Sequence, residues 1–186
     1  MPNAASLTGR QILIMATDGF EQSELEMPLK QLEDAGADVS IASLRTDDIR
    51  GWDGGDWGNK IAVDRLIKDV DVEDYDALVL PGGQINPDLL RVEDAAIDLI
   101  RAFAKAGKPI AAICHAPWLL IEAGLAEGRR MTGYKSIRTD IGNAGARLLD
   151  EAVVVDRGII TSRCPDDLDA FCAAIVEAVV DSRVAT

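Results

Sequence analysis

Short apolar runs alternate with amphipathic segments along most of the chain. The apolar runs predict buried strands because each is only about four to eight residues long and ends at turn residues. They lie at 11–16, 38–44, 76–83 and 109–113, and the third runs into a glycine turn. Segments with apolar positions three or four residues apart predict helices at 23–35, 94–106, 115–123 and 165–180. This alternation predicts an α/β fold with a doubly wound, mostly parallel sheet.

Two glycine-containing segments predict hairpins. The segment 45–60 holds four glycines together with Trp52 and Trp57, and such aromatic side chains, if exposed, often mark an oligomer surface. The segment 153–162, VVVDRGIITS, predicts two short strands around a tight turn. No repeat or linker interrupts the pattern. We therefore expect a single domain over 11–182, an N-terminal tail at 1–10 and a C-terminal tail at 183–186.

The composition narrows the class of protein. The chain has 186 residues, of which 48% are hydrophobic and only 4% aromatic, so we expect one aliphatic core. Its formal net charge of −13 opposes binding to a phosphate backbone, which excludes nucleic acid as the main partner. No apolar run approaches the ~18 residues of a membrane span, and the start lacks an apolar signal core. We therefore expect a cytoplasmic protein with no membrane partner.

The cysteine and histidine counts limit the chemistry. Cys114, Cys164 and Cys172 are an odd number without regular spacing, which indicates free thiols in a reducing compartment. His115 is the only histidine, so a zinc site with several histidine ligands is impossible. We expect neither a metal nor a cofactor.

Cys114 lies at the turn between a predicted strand and a predicted helix. Ala111, Ala112 and Ala116 surround it, and a sharp nucleophile elbow requires such small neighbours. At a helix N-terminus the dipole and free N–H groups favour the reactive thiolate, so we expect a thiol pKa below the ordinary value. A buried, inert cysteine is the alternative. The adjacent His115, a candidate base, favours the catalytic interpretation.

The sequence resembles the PfpI family, the intracellular-protease-I branch of the superfamily that contains the Parkinson-disease deglycase. The resemblance extends from Ile12 to about Val180. It depends on several motifs together, namely GFEQSEL, DALVLPGG, NPDLLR, KPIAAICHAPWLL, LAEGRRMTGYKSIRTDIGNAGA, VVVD and TSRCPDDLDAF. It implies a flavodoxin-like three-layer sandwich with a nucleophile elbow, a fold shared with class I glutamine amidotransferases. Amidotransferase chemistry uses a distant second histidine, which this chain lacks.

The resemblance also implies roles for particular residues. Cys114 is the nucleophile, and Glu21 in GFEQ matches the glutamate whose carboxyl touches the thiol. His115 is oriented by an acid that several members take from a neighbouring subunit, and Asp88 in NPD occupies that position. Gly83 and the His115 N–H form the oxyanion hole. The expected assembly is a homo-oligomer, either a dimer or a hexamer.

The chain departs from the family at two of these positions. Ala116 replaces the glycine that follows Cys-His in many members, and Asp88 replaces a glutamate of some members. We expect Gly82, Ala116 and Trp118 to line the pocket, with a buried aromatic as the alternative for Trp118.

Several other side chains have structural interpretations. Glu24 and Glu26 are expected on the solvated face of the first helix, and Cys172 in the core. Cys164 is either a local turn residue or a disulfide partner for Cys114. Arg163 is expected in a surface ion pair rather than against an anionic substrate.

Two classes of function fit the sequence. The first is a cofactor-free cysteine enzyme of glyoxalase, deglycase or peptidase type, acting in stress protection on a small carbonyl compound or a peptide. The second is a redox-sensing stress protein or holdase chaperone whose cysteine is oxidised to a sulfinate. Turnover of methylglyoxal, compared with chaperone activity that survives loss of Cys114, separates them.

Overall fold

The computed structural model describes residues 6–182, in which twelve strands and six α-helices follow one another. The strands are β1 (Gln11–Met15), β2 (Phe20–Glu21), β3 (Asp38–Ser43), β4 (Ile49–Asp53), β5 (Asp56–Ile61), β6 (Arg65–Leu66), β7 (Ala77–Leu80), β8 (Ile110–Ile113), β9 (Arg130–Met131), β10 (Arg147–Leu148), β11 (Val153–Asp156) and β12 (Ile159–Ser162). The helices are α1 (Gln22–Asp34), α2 (Ile85–Leu90), α3 (Asp94–Lys105), α4 (Pro117–Glu122), α5 (Arg138–Asn143) and α6 (Leu168–Asp181). Short 3-10 helices lie at Ile67–Asp69, Val72–Asp74, Lys135–Ile137 and Pro165–Asp167. Within this described range, no helix is long and apolar enough to cross a membrane.

A seven-stranded sheet forms the centre of the molecule, in the order β11-β12-β8-β7-β1-β3-β6. All neighbouring strands are parallel except the edge pair β11 and β12, which is the second predicted hairpin. The register places Val79 between Ile14 of β1 and Ala111 of β8. The carboxyl ends of these three strands therefore meet at one edge, which is where sites form in sheets of this kind.

Helices cover both faces of the sheet, because alternate residues of each buried strand point to opposite sides. On one face, residues such as Leu13 and Leu78 pack with α2, α3, α4 and α5. On the other, residues such as Ile12 and Val79 pack with α1 and α6. The predicted α/β architecture with three layers is confirmed.

The local predictions hold for the longer elements. The glycine-rich segment forms the hairpin of β4 and β5, with Trp57 41% exposed at its outer strand. Several short features were not predicted: the helices α2 and α5, the strands β2 and β6, the small sheet of β9 and β10, and the 3-10 helices before α6. Six-residue helices and two-residue strands contain too little periodicity to be detected.

The N-terminal boundary of the packed chain precedes β1. Leu7 lies within the predicted tail, yet it is fully buried and its N–H donates to the carbonyl of Ala35 at 2.8 Å. The aliphatic side chain therefore anchors the chain before Gln11. The predicted C-terminal tail at 183–186 lies outside the described residues.

Candidate active site

Cys114 occupies a left-handed backbone conformation directly after β8. Its φ is 65°, a region that non-glycine residues adopt at a cost of about 1–2 kcal/mol. Two backbone hydrogen bonds hold this conformation: the Cys114 N–H donates to Ser162 at 3.1 Å, and its carbonyl accepts from Tyr134 at 2.8 Å. The cysteine is 5% exposed. The strand, the strained turn and α4 together form the predicted nucleophile elbow.

Two glycines after β7 bring the backbone against this cysteine. A Cβ on Gly82 would lie 2.5 Å from Oε2 of Glu24 and 2.6 Å from Cβ of Cys114, so only glycine fits. Gly83 has a φ of 80°, which favours glycine as well. The N–H groups of Gly83 and His115 face the Cys114 sulfur, where they lower the pKa of the thiol. The structure thus brings together the two N–H groups that the sequence analysis assigned to an oxyanion hole.

The glutamate at the thiol is Glu24, which corrects the assignment of Glu21 and of a solvated Glu24. Glu24 is fully buried, its Oε2 accepts the Gly82 N–H at 3.0 Å, and its carboxyl lies beside the Cys114 thiol, with which it interacts electrostatically. Among the described residues, Oε1 has no hydrogen-bond partner. The physical reason is helical spacing: Glu24 lies one and two turns before the buried Pro28 and Leu32, on the face of α1 that packs inward.

Glu21 precedes α1 and lies at the cavity wall instead. It is the N-cap residue of α1, and its carboxylate accepts from the hydroxyl of Ser23 at 3.3 Å. Burial raises the pKa of Glu21, the hydrogen bond from Ser23 lowers it, and the negative charge of Asp53 raises it. Glu21 therefore acts on Glu24 only through its charge, which raises the pKa of Glu24.

Cys114 and Glu24 are a coupled acidic pair. Burial raises the pKa of Glu24 to about 8, and the hydrogen bond with Cys114 lowers it. Burial also raises the pKa of Cys114, as does an ionised Glu24, while the N–H groups of Gly83 and His115 lower it. The expectation of a low thiol pKa considered the elbow and omitted this buried carboxyl. A low-dielectric site disfavours two adjacent negative charges, so at least one of the two groups keeps its proton near neutral pH.

His115 is fixed between two polar partners and two aromatic rings. Its Nδ1 lies 3.2 Å from the Cys114 sulfur and its Nε2 lies 3.1 Å from the hydroxyl of Ser136. The imidazole stacks on Tyr134 at 4.8 Å between centroids and meets the edge of Trp118 at 5.2 Å. Burial lowers the pKa of His115, so its ring is neutral at neutral pH.

Asp88 does not contact His115 within the chain. Asp88 is exposed in the first turn of α2, and the ring nitrogen that an orienting acid would hold is bonded to Ser136. Ser136 was not singled out from the sequence. The signal that could have indicated it is its position in the motif TGYKSI. Tyr134, two residues earlier in that motif, donates its N–H to the carbonyl of Cys114.

An open cavity of about 660 Å³ lies above the thiol. Its lining comprises Glu21, Glu24, Asp53, Gly54, Gly83, Gln84, Cys114, His115, Tyr134, Ser136 and Pro165. The expectation that Gly82, Ala116 and Trp118 line this cavity is wrong. Gly82 and Ala116 are fully packed beneath the turn, and Trp118 lies behind the His115 ring.

The other side chains considered in the sequence analysis have structural roles outside the cavity. Cys172 is 1% exposed in the core, as predicted. Arg163 forms a bidentate ion pair with Asp167 and a further one with Asp150, which confirms the ion-pair interpretation. The Cys164 sulfur lies 3.8 Å from the Asp167 carboxylate in the turn before α6. Among the described residues, no group of three or more histidine, cysteine or carboxylate side chains forms a metal site.

Comparison with known proteins gives consistent results. The sequence profile of the DJ-1/PfpI family matches residues 10–178. A Bacillus subtilis protein named as a candidate cysteine protease, YraA, is 44% identical over 87% of this chain and 94% of its own length. Protein/nucleic acid deglycase 2 of Escherichia coli is 40% identical, covering 87% and 93% of the two chains.

A solved structure shares the fold. It is a two-domain protein of Anabaena variabilis that contains DJ-1/ThiJ/PfpI-like and ferritin-like domains. The superposition has a TM-score of 0.86 with 34% identity, and covers 95% of this chain and 48% of that longer chain. The flavodoxin-like fold implied by the sequence resemblance is confirmed.

Proposed function

This chain belongs to the DJ-1/PfpI family, and we propose that it is a cofactor-free cysteine enzyme acting on small reactive aldehydes and their adducts. One observation carries the proposal. Cys114 is buried in a strained backbone conformation, and its sulfur faces the backbone N–H groups of Gly83 and His115. It also lies beside the buried carboxyl of Glu24. This arrangement holds negative charge first on sulfur and then on a carbonyl oxygen.

In the proposed resting state the acidic pair holds a single proton, and that proton resides on Glu24. The sulfur then carries the negative charge, stabilised by the Gly83 and His115 N–H groups and by a hydrogen bond donated from Glu24. An ionised Glu24 would face the backbone N–H groups of Gly82 and Gly83. The sulfur faces those of Gly83 and His115 and, in addition, Nδ1 of His115 at 3.2 Å. The distribution of donors therefore favours the thiolate over the carboxylate.

Attack on an α-ketoaldehyde such as methylglyoxal proceeds without any other reactant than water. The thiolate bonds to the aldehyde carbon, and the π pair moves to oxygen, which takes the proton of Glu24. The carboxylate then moves the remaining proton of that carbon to the adjacent carbonyl carbon, while the hydroxyl proton passes to the second oxygen. Water hydrolyses the resulting thioester to a 2-hydroxy acid, which frees the sulfur and returns a proton to Glu24.

The shape and charge of the site favour small carbonyl compounds over extended peptides. Cys114 is 5% exposed and His115 is 7% exposed, so the nucleophile is reached through the cavity alone. Glu21 and Asp53 give the cavity wall a negative potential that admits neutral aldehydes and repels anions. Removal of reactive aldehydes is the form of stress protection that this chemistry provides.

The decisive experiment is turnover of methylglyoxal, with the 2-hydroxy acid measured as the product. Wild type is expected to turn over, and Cys114→Ser to lose activity while it retains the circular dichroism spectrum of wild type. Absence of turnover in folded wild type would contradict the enzyme proposal.

The same N–H groups also favour the second candidate, a redox sensor. A sulfinate adds two oxygen atoms to sulfur, and the Gly83 and His115 N–H groups and a protonated Glu24 suit such an anion. Peroxide treatment followed by mass spectrometry tests this function. Selective oxidation of Cys114 without methylglyoxal turnover, together with chaperone activity that survives Cys114→Ser, would favour the sensor or holdase.

A further inference from the structure

We infer that Asn86 is a positioning residue, whose side-chain amide holds the peptide between Gly82 and Gly83 so that the Gly83 N–H faces the active-site sulfur. The inference deepens the proposed function and rests on it, since it takes this N–H group to stabilise the sulfur and then the carbonyl oxygen of the substrate. It assigns a role to a fully buried polar side chain that does not line the cavity.

The peptide between the two glycines needs an external anchor to keep one orientation. Glycine adopts positive and negative φ about equally well, so a peptide flanked by two glycines turns over at a small steric cost. This peptide is trans and planar, and its C=O and N–H therefore point in opposite directions. A group that fixes the carbonyl of Gly82 thus also fixes the direction of the Gly83 N–H.

Two donors hold that carbonyl. Nδ2 of Asn86 donates to the oxygen of Gly82 at 3.2 Å, and the backbone N–H of Glu21 donates to it at 3.3 Å. The same Nδ2 donates to the oxygen of Pro81 at 2.8 Å, so the amide spans two successive carbonyls. With its oxygen held on this side, the peptide directs the Gly83 N–H to the sulfur.

The orientation of the Asn86 amide is set by backbone groups that have one role each. Oδ1 accepts the N–H of Thr17 at 2.7 Å, and a backbone N–H can only donate. Nδ2 faces carbonyl oxygens, which can only accept. An exchange of the two ends of the amide would break all three hydrogen bonds. The N–H of Asn86 also donates to the Gly19 carbonyl at 3.4 Å, which ties the start of α2 to the loop after β1.

Burial makes this anchor hard to replace. The side chain of Asn86 is fully buried, so water does not substitute for a lost hydrogen bond. Without Nδ2, the carbonyl of Gly82 keeps only the contact from the Glu21 N–H at 3.3 Å. The peptide is then expected to populate a second orientation, in which the Gly83 N–H points away from the sulfur.

Backbone amide NMR tests the inference on the N–H group itself. In wild type, we expect the amide protons of Gly83 and His115 to shift together as Cys114 ionises, since both N–H groups face the sulfur. The variants are Asn86→Ala and Asn86→Leu, of which the second keeps a branched side chain without polar atoms. In both, the Gly83 amide is expected to lose most of this shift while the His115 amide keeps it. The matched control Asn143→Ala, which removes an exposed amide at the end of α5, should behave as wild type.

Steady-state kinetics gives a second readout. A donor turned away from the oxyanion should lower kcat for methylglyoxal by roughly 10- to 100-fold in the Asn86 variants, because the oxyanion forms only during the reaction. KM should stay within about threefold of wild type, since Asn86 does not line the cavity. Asn143→Ala should leave both parameters unchanged.

Three results would overturn the inference. One is a Gly83 amide that follows Cys114 ionisation in the Asn86 variants as it does in wild type, or that does not follow it in wild type. Another is a joint loss of the Gly83 and His115 responses, which would show a general structural role for Asn86. The third needs no variant: the two Asn86 side-chain amide protons should be protected from exchange with solvent in wild type, and exchange at the rate of an exposed amide would contradict the hydrogen bonds.

Failure of the proposed function gives a different result. A folded wild type that does not turn over methylglyoxal, but whose Gly83 amide responds to Cys114 and loses that response in the Asn86 variants, would contradict the enzyme and leave the positioning role intact. Turnover by a wild type whose Gly83 amide does not depend on Asn86 would contradict the positioning role alone.

Discussion

Two neighbouring parallel strands, β8 and β12, each run into a turn that carries a cysteine and leads into a helical segment beginning at proline. At the first turn, Cys114 has a φ of 65° and is 5% exposed. At the second, Cys164 has an extended backbone, with φ at −168°, and is partly exposed. The sequence patterns are similar, yet only the first turn directs its thiol toward the backbone N–H groups of a second strand end.

The surroundings of the two thiols explain the difference. Cys114 lies beside Gly83, His115 and Glu24, which supply donors and an exchangeable proton. Burial raises the pKa of both thiols. At Cys164 a backbone hydrogen bond from Asp166 lowers the pKa and the charges of Asp167 and Asp166 raise it, whereas at Cys114 two backbone N–H groups lower it. A strand-to-helix cysteine is therefore reactive only where neighbouring elements supply groups that stabilise the negative charge.

The two cysteines are expected to differ most in activity. Cys114→Ser should reduce methylglyoxal turnover by about a thousandfold or more, since the nucleophile is lost. Cys164→Ser, the matched variant at the second turn, should retain turnover within about twofold, because its thiol does not line the cavity. Initial rates of the two purified variants check this. Equal losses in both would show that the comparison is mistaken.

The glycine beneath the elbow is expected to matter as much for stability as the nucleophile matters for activity. Gly82→Ala places a methyl group 2.6 Å from both Cys114 Cβ and the Ile113 carbonyl, so overpacking should cost about 3 kcal/mol or more of unfolding free energy. Gly142→Ala is the control, since no atom lies within 4 Å of the added Cβ in α5. It should be neutral or stabilise by about 0.5–1 kcal/mol. Urea unfolding of both variants measures the difference.

The carboxyl at the thiol is expected to act by donating a hydrogen bond. Glu24→Gln keeps a donor and should alkylate at Cys114 with nearly the pH dependence of wild type. Glu24→Ala removes the donor and should raise the thiol pKa by about 1–2 units. Glu21→Gln, at the cavity wall, should change it less. A thiol pKa that falls in both Glu24 variants would show that Glu24 is ionised beside the sulfur, against the proposed resting state.

The sequence predicts the elbow better than it predicts the groups around it. KPIAAICHAP contains the strand, the small flanking residues and the nucleophile in one local segment. Glu24 is harder to detect, because a glutamate in an amphipathic helix is ordinarily expected on the solvated face, although in α1 it is buried. Ser136 is 21 residues from His115 in a short 3-10 turn, which the hydrogen bond from Tyr134 to Cys114 holds at the elbow. Contacts between distant loops leave no periodic signal.

The elements of the fold likewise divide into those that the sequence predicts and those that it does not. The parallel strands and the longer helices follow from composition and periodicity, because each buries a whole face. The pairing of β9 with β10 and the short helices α2 and α5 depend on tertiary contacts instead. Leu7 belongs to this second group, since it is the one buried side chain among the described residues before β1 and has no periodic pattern around it.

The buried carboxyl of Glu24, which lies beside the first turn, is expected to make the stability of the protein depend on pH. The pKa of Glu24 is raised to about 8 in the folded protein, from 4.5 as the ordinary value. The unfolded chain therefore loses this proton first, and stability falls as pH rises from about 4.5 to 8. Comparing Cys114→Ala with Cys114→Ala/Glu24→Gln isolates the effect. The double variant should gain relative stability on the order of a few kcal/mol by pH 8, and a constant difference would contradict the raised pKa.

The ion pairs beside the second turn are expected to have the smallest effect. Arg163 contacts Asp167 through two hydrogen bonds at 2.8 and 3.0 Å, and Asp150 at 3.0 Å. Water screens the pair with the exposed Asp150, and a glutamine at position 163 still offers an amide donor to the buried Asp167 carboxylate. Arg163→Gln should therefore lower the melting temperature by only a few degrees. Arg163→Lys, which keeps the charge but not the two-point contact, should fall between that variant and wild type.

Activity separates this structural role from a role in the site. Arg163 does not line the cavity above Cys114, so KM and kcat for methylglyoxal should stay within about twofold of wild type in both Arg163 variants. The measurement is a Michaelis curve at a temperature well below the melting transition. A selective rise in KM would show that the cation reaches the substrate, and the second turn would then belong to the site after all. The expected constancy of both parameters instead confines the chemistry to the turn that carries Cys114.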